Sequence, residues 1–118
     1  MKKDSAYLQD ILDASNSIES FLKGQTKLGF LKSDLLQSAV IRKFEIIGEA
    51  VKNLTKEMKG KHKDVPWKTV AGMRNLLVHE YFSVDAERVW GTAKKSLPPF
   101  KRQIREILTQ IECDNADT

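Results

Sequence analysis

Apolar residues recur at helical spacing along most of the chain. Leu8, Ile11, Leu12, Ser15, Ile18 and Leu22 share one face of a helix predicted from Asp4 or Ser5 to Leu22. Lys23-Gly24-Gln25 ends it, with Gly24 suited to a left-handed cap. Thr26 to Phe30 reads as a short loop, with Phe30 and Leu31 folded back onto the core. Ser33 or Asp34 caps a second helix predicted to continue to about Met58. Its stripe is Leu36, Val40, Phe44, Ile47, Val51 and Leu54, broadened by Ile41 and Ala50. Gly48 sits in the middle of that helix, where it costs about 1 kcal/mol against alanine. A close helix crossing would account for it, and so would a tolerated defect.

Gly60 ends the second helix, and Lys59 to Lys63 reads as a basic connector. A third helix is predicted through the segment from Val65 to Phe82, with Pro66 in its first turn, where a missing N–H costs nothing. Val70, Met73, Leu76 and Leu77 form its stripe. Asp85 caps a fourth helix from Ala86 to about Ser96, and Pro98-Pro99 predicts a break before the last helix. Phe100, Ile104, Ile107, Leu108 and Ile111 are that helix's apolar face. No stretch alternates with period two over a strand's length. The predicted fold class is all-α, an antiparallel bundle of four to five helices joined by short connections. One domain over 1–112 with a short polar tail over 113–118 is the expected organisation.

Composition narrows the classes. The 118 residues are 41% hydrophobic and 31% charged, the balance of an ordinary folded domain. A net charge of +4 and a pI near 9.2 tolerate a phosphate-bearing partner without requiring one. Cys113 is the single cysteine, so no intrachain disulfide can form, which fits a reducing compartment and a cytoplasmic location. Met1-Lys2-Lys3 looks like the start of a signal peptide, but Asp4 and Asp10 fall where its apolar stretch would have to be. No apolar run reaches the length of a membrane span. Two histidines and one cysteine give no metal-ligand spacing, and there is no glycine-rich phosphate loop. No metal or cofactor is expected.

Chemistry concentrates in Met73-Arg74-Asn75-Leu76-Leu77-Val78-His79-Glu80-Tyr81-Phe82. Arg74, Asn75 and His79 interrupt a stripe meant for burial, and such a cluster is either a satisfied network or a site. At about 100° per residue, Asn75 and His79 stand on one face of a helix, while Arg74 and His79 point apart. A bend near the helix end, or a second copy across a two-fold axis, would bring them together. His79 can take and give protons near neutrality, or simply cap the helix C-terminus. Arg74 matches phosphate oxygens, or pairs with Glu45 or Glu49 of the second helix. Asn75 is a supporting residue that could orient His79 or cap backbone groups. Tyr81 reads as a core residue with its hydroxyl reaching water. The basic run from Lys56 to Lys68 could track phosphate, although such runs are more often solvated.

This string, with Ser-Val-Asp and then Val89-Trp90 after it, resembles the HEPN superfamily. Within that superfamily it is most similar to HepT-like toxins of MNT/HEPN toxin–antitoxin pairs. The Arg-x4-His-x-Tyr signature falls on Arg74, His79 and Tyr81, and similarity extends to the segments around Arg42, Glu49 and Val65-Pro66-Trp67. The resemblance implies a metal-independent endoribonuclease cutting RNA by 2′-OH attack, with Arg74 and His79 catalytic. It also implies a homodimer with the site at the two-fold interface. A nucleotidyltransferase antitoxin of MNT type would be the partner, silencing the toxin by attaching AMP to Tyr81. A rival reading is a non-catalytic nucleotide-binding partner of a nucleotidyltransferase, and a third is a purely structural bundle.

Overall fold

The computed structural model describes residues 2–73, 75 and 84–116. Helix α1 (Asp4–Leu22) leads through a turn to α2 (Lys27–Leu31), and α3 (Asp34–Asn53) comes after it. Next come α4 (Lys56–Lys61), α5 (Trp67–Ala71) and α6 (Ala86–Gly91). A π-helical segment (Thr92–Ser96) then runs directly into α7 (Leu97–Ala116). Among the described residues there is no β-strand, and the chain is the all-α bundle its periodicity predicts.

The core forms where α1 packs along α3 and, less extensively, along α7. Leu8, Ile11 and Ile18 of α1 meet Val40, Phe44, Ile47 and Val51 of α3 and Ile104 of α7, all essentially inaccessible to water. Each such side chain contributes about 1.5 to 3 kcal/mol of transfer free energy. Ser15 belongs to the same buried face because its hydroxyl donates to the Ile11 carbonyl at 2.7 Å. Gly24 has φ 77°, the left-handed conformation that favours glycine, and α1 stops there. Lys101 of α7 pairs with Glu19 of α1 across the bundle.

Three expectations need correction. Residues 26–31 are not all loop: Thr26 accepts the Gly29 N–H at 3.0 Å and caps α2. Phe30 is fully buried there and meets Trp90 of α6 edge-on, with ring centroids 5.5 Å apart. Gln37 of α3 ties α2 down by donating its amide to the carbonyls of Phe30 (3.0 Å) and Leu31 (3.2 Å). A five-residue helix is too short to register as periodicity.

The second correction concerns the end of α3. It stops at Asn53 rather than continuing to Met58, because Leu54 turns extended and Thr55 starts a new helix. The Thr55 hydroxyl accepts the Met58 N–H at 3.1 Å and donates to Asp4 Oδ2 at 2.7 Å. The Thr55 N–H reaches Asp4 Oδ1 at 3.0 Å. One threonine therefore caps α4 and fastens it to the start of α1.

Third, Pro98 and Pro99 do not break the chain into separate helices. A proline inside an α-helix lacks its N–H and collides with the carbonyl four residues back. Here the collision is relieved by widening the preceding turn. The Leu97 N–H donates to Thr92 O, five residues back, and the two prolines enter at the second and third residues of α7. At about 1.5 Å per residue, the run from 86 to 116 is about 46 Å long, close to the 51 Å long axis of the molecule. The last helix also continues to Ala116, into the residues expected to form the short polar tail.

Gly48 lies where α3 meets the backbone of α5. A β-carbon placed there would stand 3.5 Å from the carbonyl oxygens of Val70 and Ala71, an ordinary contact distance. Gly48→Ala should therefore gain up to about 1 kcal/mol of helix propensity without a clash, whereas Gly48→Leu should push α5 away and lower the urea midpoint. Thr55→Ala should cost about 1 kcal/mol, the usual loss of a side-chain cap, read from the same unfolding curves.

Candidate functional site

Arg74, His79 and Tyr81 lie outside the described residues, as does the string between them except Asn75. Asn75 is helical and exposed, and its backbone N–H donates to Gly72 O at 3.1 Å. What the structure describes in detail is the base from which the string departs. Pro66 stands just before α5 rather than within its first turn. Trp67 is buried, and its indole N–H donates to His62 O at 2.9 Å. Its ring meets Phe100 of α7 edge-on, with centroids 6.5 Å apart. Val65 and Val70 are buried on either side. Indole, valines and hydrogen bond together anchor the start of the segment to α7 and α3.

The predicted third helix is interrupted at Gly72. The Gly72 N–H closes α5 on Lys68 O at 3.0 Å, and Gly72 itself is a turn residue with φ −91° and ψ 3°. Met73 beyond it is buried and Asn75 is exposed, so the polar string begins at the edge of the core. A turn thus lies just before the string, while the bend near the helix end that could bring Arg74 and His79 together falls outside the described residues.

Two surfaces flank this point. On one side, Arg42, Glu45, Glu49 and Lys52 of α3 line a depression of about 70 Å³ together with Gly48 and Ala71. Lys52 pairs with Glu49 at 3.6 Å across exposed side chains. The expected carboxylates Glu45 and Glu49 thus lie on the α3 face that receives the end of α5. The second flank is a cavity of about 260 Å³ enclosed by α3, α5, the π segment and α7. Its residues come from distant parts of the chain, and nothing in the periodicity pointed to it. The one local signal was the proline pair, which forces the π turn that forms one wall.

The basic run from Lys56 is folded into α4 rather than a loose connector. Lys61 pairs with Glu57 at 3.3 Å along that helix, and Lys59 reaches Val51 O at 3.4 Å. Downstream, the Asp85 carboxylate accepts the Arg88 N–H at 3.1 Å and caps α6, as its sequence position predicts. Among the described residues no three His, Cys, Asp or Glu side chains converge as a set of metal ligands. No described helix is long and apolar enough to cross a membrane.

Comparison with known proteins adds a family. A protein of Caldanaerobacter subterraneus subsp. tengcongensis, provisionally named an RNase, is 45% identical over 108 residues, 92% of this chain and 96% of that one. A provisionally named RNase of Methanocaldococcus jannaschii is 40% identical over 118 residues, covering 99% and 98%. A Thermococcus cleftensis protein provisionally named ribonuclease HepT is 41% identical over 101 residues, covering 86% and 92%. No solved structure is significantly similar to the chain. The family described as Ribonuclease HepT-like matches residues 11–107, from α1 through the polar string to α7, and the chain belongs to it.

Proposed function

We propose that this protein is an endoribonuclease that needs no metal, and that it acts as the toxin of a toxin–antitoxin pair in the cytoplasm. The observation that carries the reading is the Arg74-x4-His79-x-Tyr81 string within a chain matched by the Ribonuclease HepT-like family. Relatives provisionally named RNases that span nearly the same length support the reading.

The chemistry is transesterification within the RNA strand. The ribose 2′-oxygen bonds to the adjacent phosphorus, the bond from phosphorus to the 5′-oxygen breaks, and a cyclic phosphate and a 5′-hydroxyl result. One His79 imidazole removes the 2′-OH proton, and an imidazolium protonates the leaving 5′-oxygen. Arg74 holds the phosphate and offsets charge growing on its free oxygens. A homodimer with the two strings facing across the two-fold supplies both a basic and an acidic His79. Asn75 supports the site beside Arg74. The substrate is RNA, because DNA lacks the nucleophile. The antitoxin is a nucleotidyltransferase: the Tyr81 oxygen bonds to the α-phosphorus of ATP, the α–β anhydride bond breaks and pyrophosphate leaves, which brings a phosphate negative charge and an adenosine into the site.

The test is RNA cleavage in EDTA by purified protein whose intact mass excludes a modified Tyr81. Wild type should cleave, and Arg74→Ala and His79→Ala should each lose about 10²-fold or more. No cleavage of a broad RNA panel by unmodified, dimeric wild type would favour a nucleotide-binding partner of the nucleotidyltransferase instead.

A further inference from the structure

The cavity lined by Met73, the first residue of the polar string, has a definite chemical character. Its inner walls are Phe44 and Ile47 of α3, Val70, Met73, Leu97 and Phe100, all buried. At its mouth stand exposed polar side chains, Thr69, Arg88 and Ser96. Asp85 Oδ2 lies 3.7 Å from the Arg88 Nε, a solvent-accessible ion pair within the same turn.

Size limits what could occupy this space. An apolar cavity of roughly 150 Å³ holds benzene, and drug-sized ligands use roughly 300 Å³ upward. About 260 Å³ suits a bicyclic aromatic ring. Phe44 and Phe100 offer ring faces and edges to such a guest, as aromatic side chains do for unstacked bases in single-stranded RNA. A guanidinium at the mouth offers two parallel donors, the complement of guanine O6 and N7, whereas adenine presents a donor at the first of these positions. Met73 lines the cavity and directly precedes Arg74 in the chain. The cavity is therefore adjacent in sequence to the residue proposed to hold phosphate.

We propose that the cavity between α3, α5 and the π segment binds one unstacked purine base, guanine in preference to adenine, with Arg88 reading its edge. The placement beside an RNA substrate rests on the nuclease reading, but the binding itself does not.

Calorimetry with GMP, AMP and UMP tests it, together with a 2′-O-methyl RNA hexamer containing one guanine and the same hexamer with uracil instead. The methylated strand cannot be cut, so binding is measured whether or not the chain is a nuclease. GMP should bind more tightly than AMP or UMP. Arg88→Ala should weaken guanine binding at least about fivefold, the lower end for a lost bidentate base contact. Ser96→Phe, made from an exposed position at the mouth, should weaken it similarly with an unchanged melting temperature. Lys95→Ala removes a nearby exposed charge without touching the cavity and should change affinity less than about twofold, within the range of a single screened surface charge. Tighter binding of the guanine hexamer than of GMP assigns the base to an RNA strand, and equal affinity assigns it to a free nucleotide. Equal binding of all three mononucleotides, or binding indifferent to both Arg88→Ala and Ser96→Phe, would overturn the proposal. A protein that selects guanine but cuts no RNA would keep the pocket and lose the nuclease reading. One that cuts RNA without selecting a base here would do the reverse.

Discussion

The contact between the α5 backbone and Gly48 of α3 is the constraint on which the candidate site depends. The carbonyls of Val70 and Ala71 approach α3 at residue 48 closely enough that a β-carbon there would be in contact with both, so the position admits no bulky side chain. The buried Trp67 fixes the other end of α5 through His62 and Phe100. A five-residue helix has little stability of its own, since nucleation is unfavourable and few bonds repay it. Its position is set by tertiary contacts. The turn at Gly72 then closes α5, at a point set by α3 and α7 rather than by helix propensity.

The rest of the bundle serves to hold α3 steady. Helix α1 covers one face of it, α2 is pinned across its start by Gln37, and Thr55 locks its far end to α1 through Asp4. Opposite, the π turn lets α6 and α7 form one long element despite two prolines. The π segment and Phe100 together line one side of the apolar cavity. The resulting arrangement places a charged depression on one side of α5 and an apolar cavity on the other, with the polar string starting between them.

Much of this was legible in the sequence, and the failures share a cause. Long stripes such as Leu8 to Leu22 and Phe100 to Leu108 report burial of one helix face, and both are buried as read apart from Leu12, which is half-buried. Gly24 and Asp85 were legible as caps because their roles depend only on near neighbours. Thr55 was missed because the apolar spacing continues through Leu54, and the decisive partner, Asp4, is distant in sequence. Pro98-Pro99 was read as a break because a proline collision can be relieved either by ending the helix or by widening the turn before it, and the sequence does not choose between the two. Arg74, Asn75, His79 and Tyr81 were legible as a string. The residues that line the cavity were not, since they come from three separate segments.

The central claim is that the string performs strand-internal transesterification, and the ends of the RNA products test it most directly. Products formed in EDTA should carry 2′,3′-cyclic phosphates and 5′-hydroxyls, because the ribose oxygen is the nucleophile. Fragments ending in a free 3′-hydroxyl and a 5′-phosphate would mean that water or another nucleophile attacked from outside the ribose. That result would contradict the roles given to His79 and Arg74.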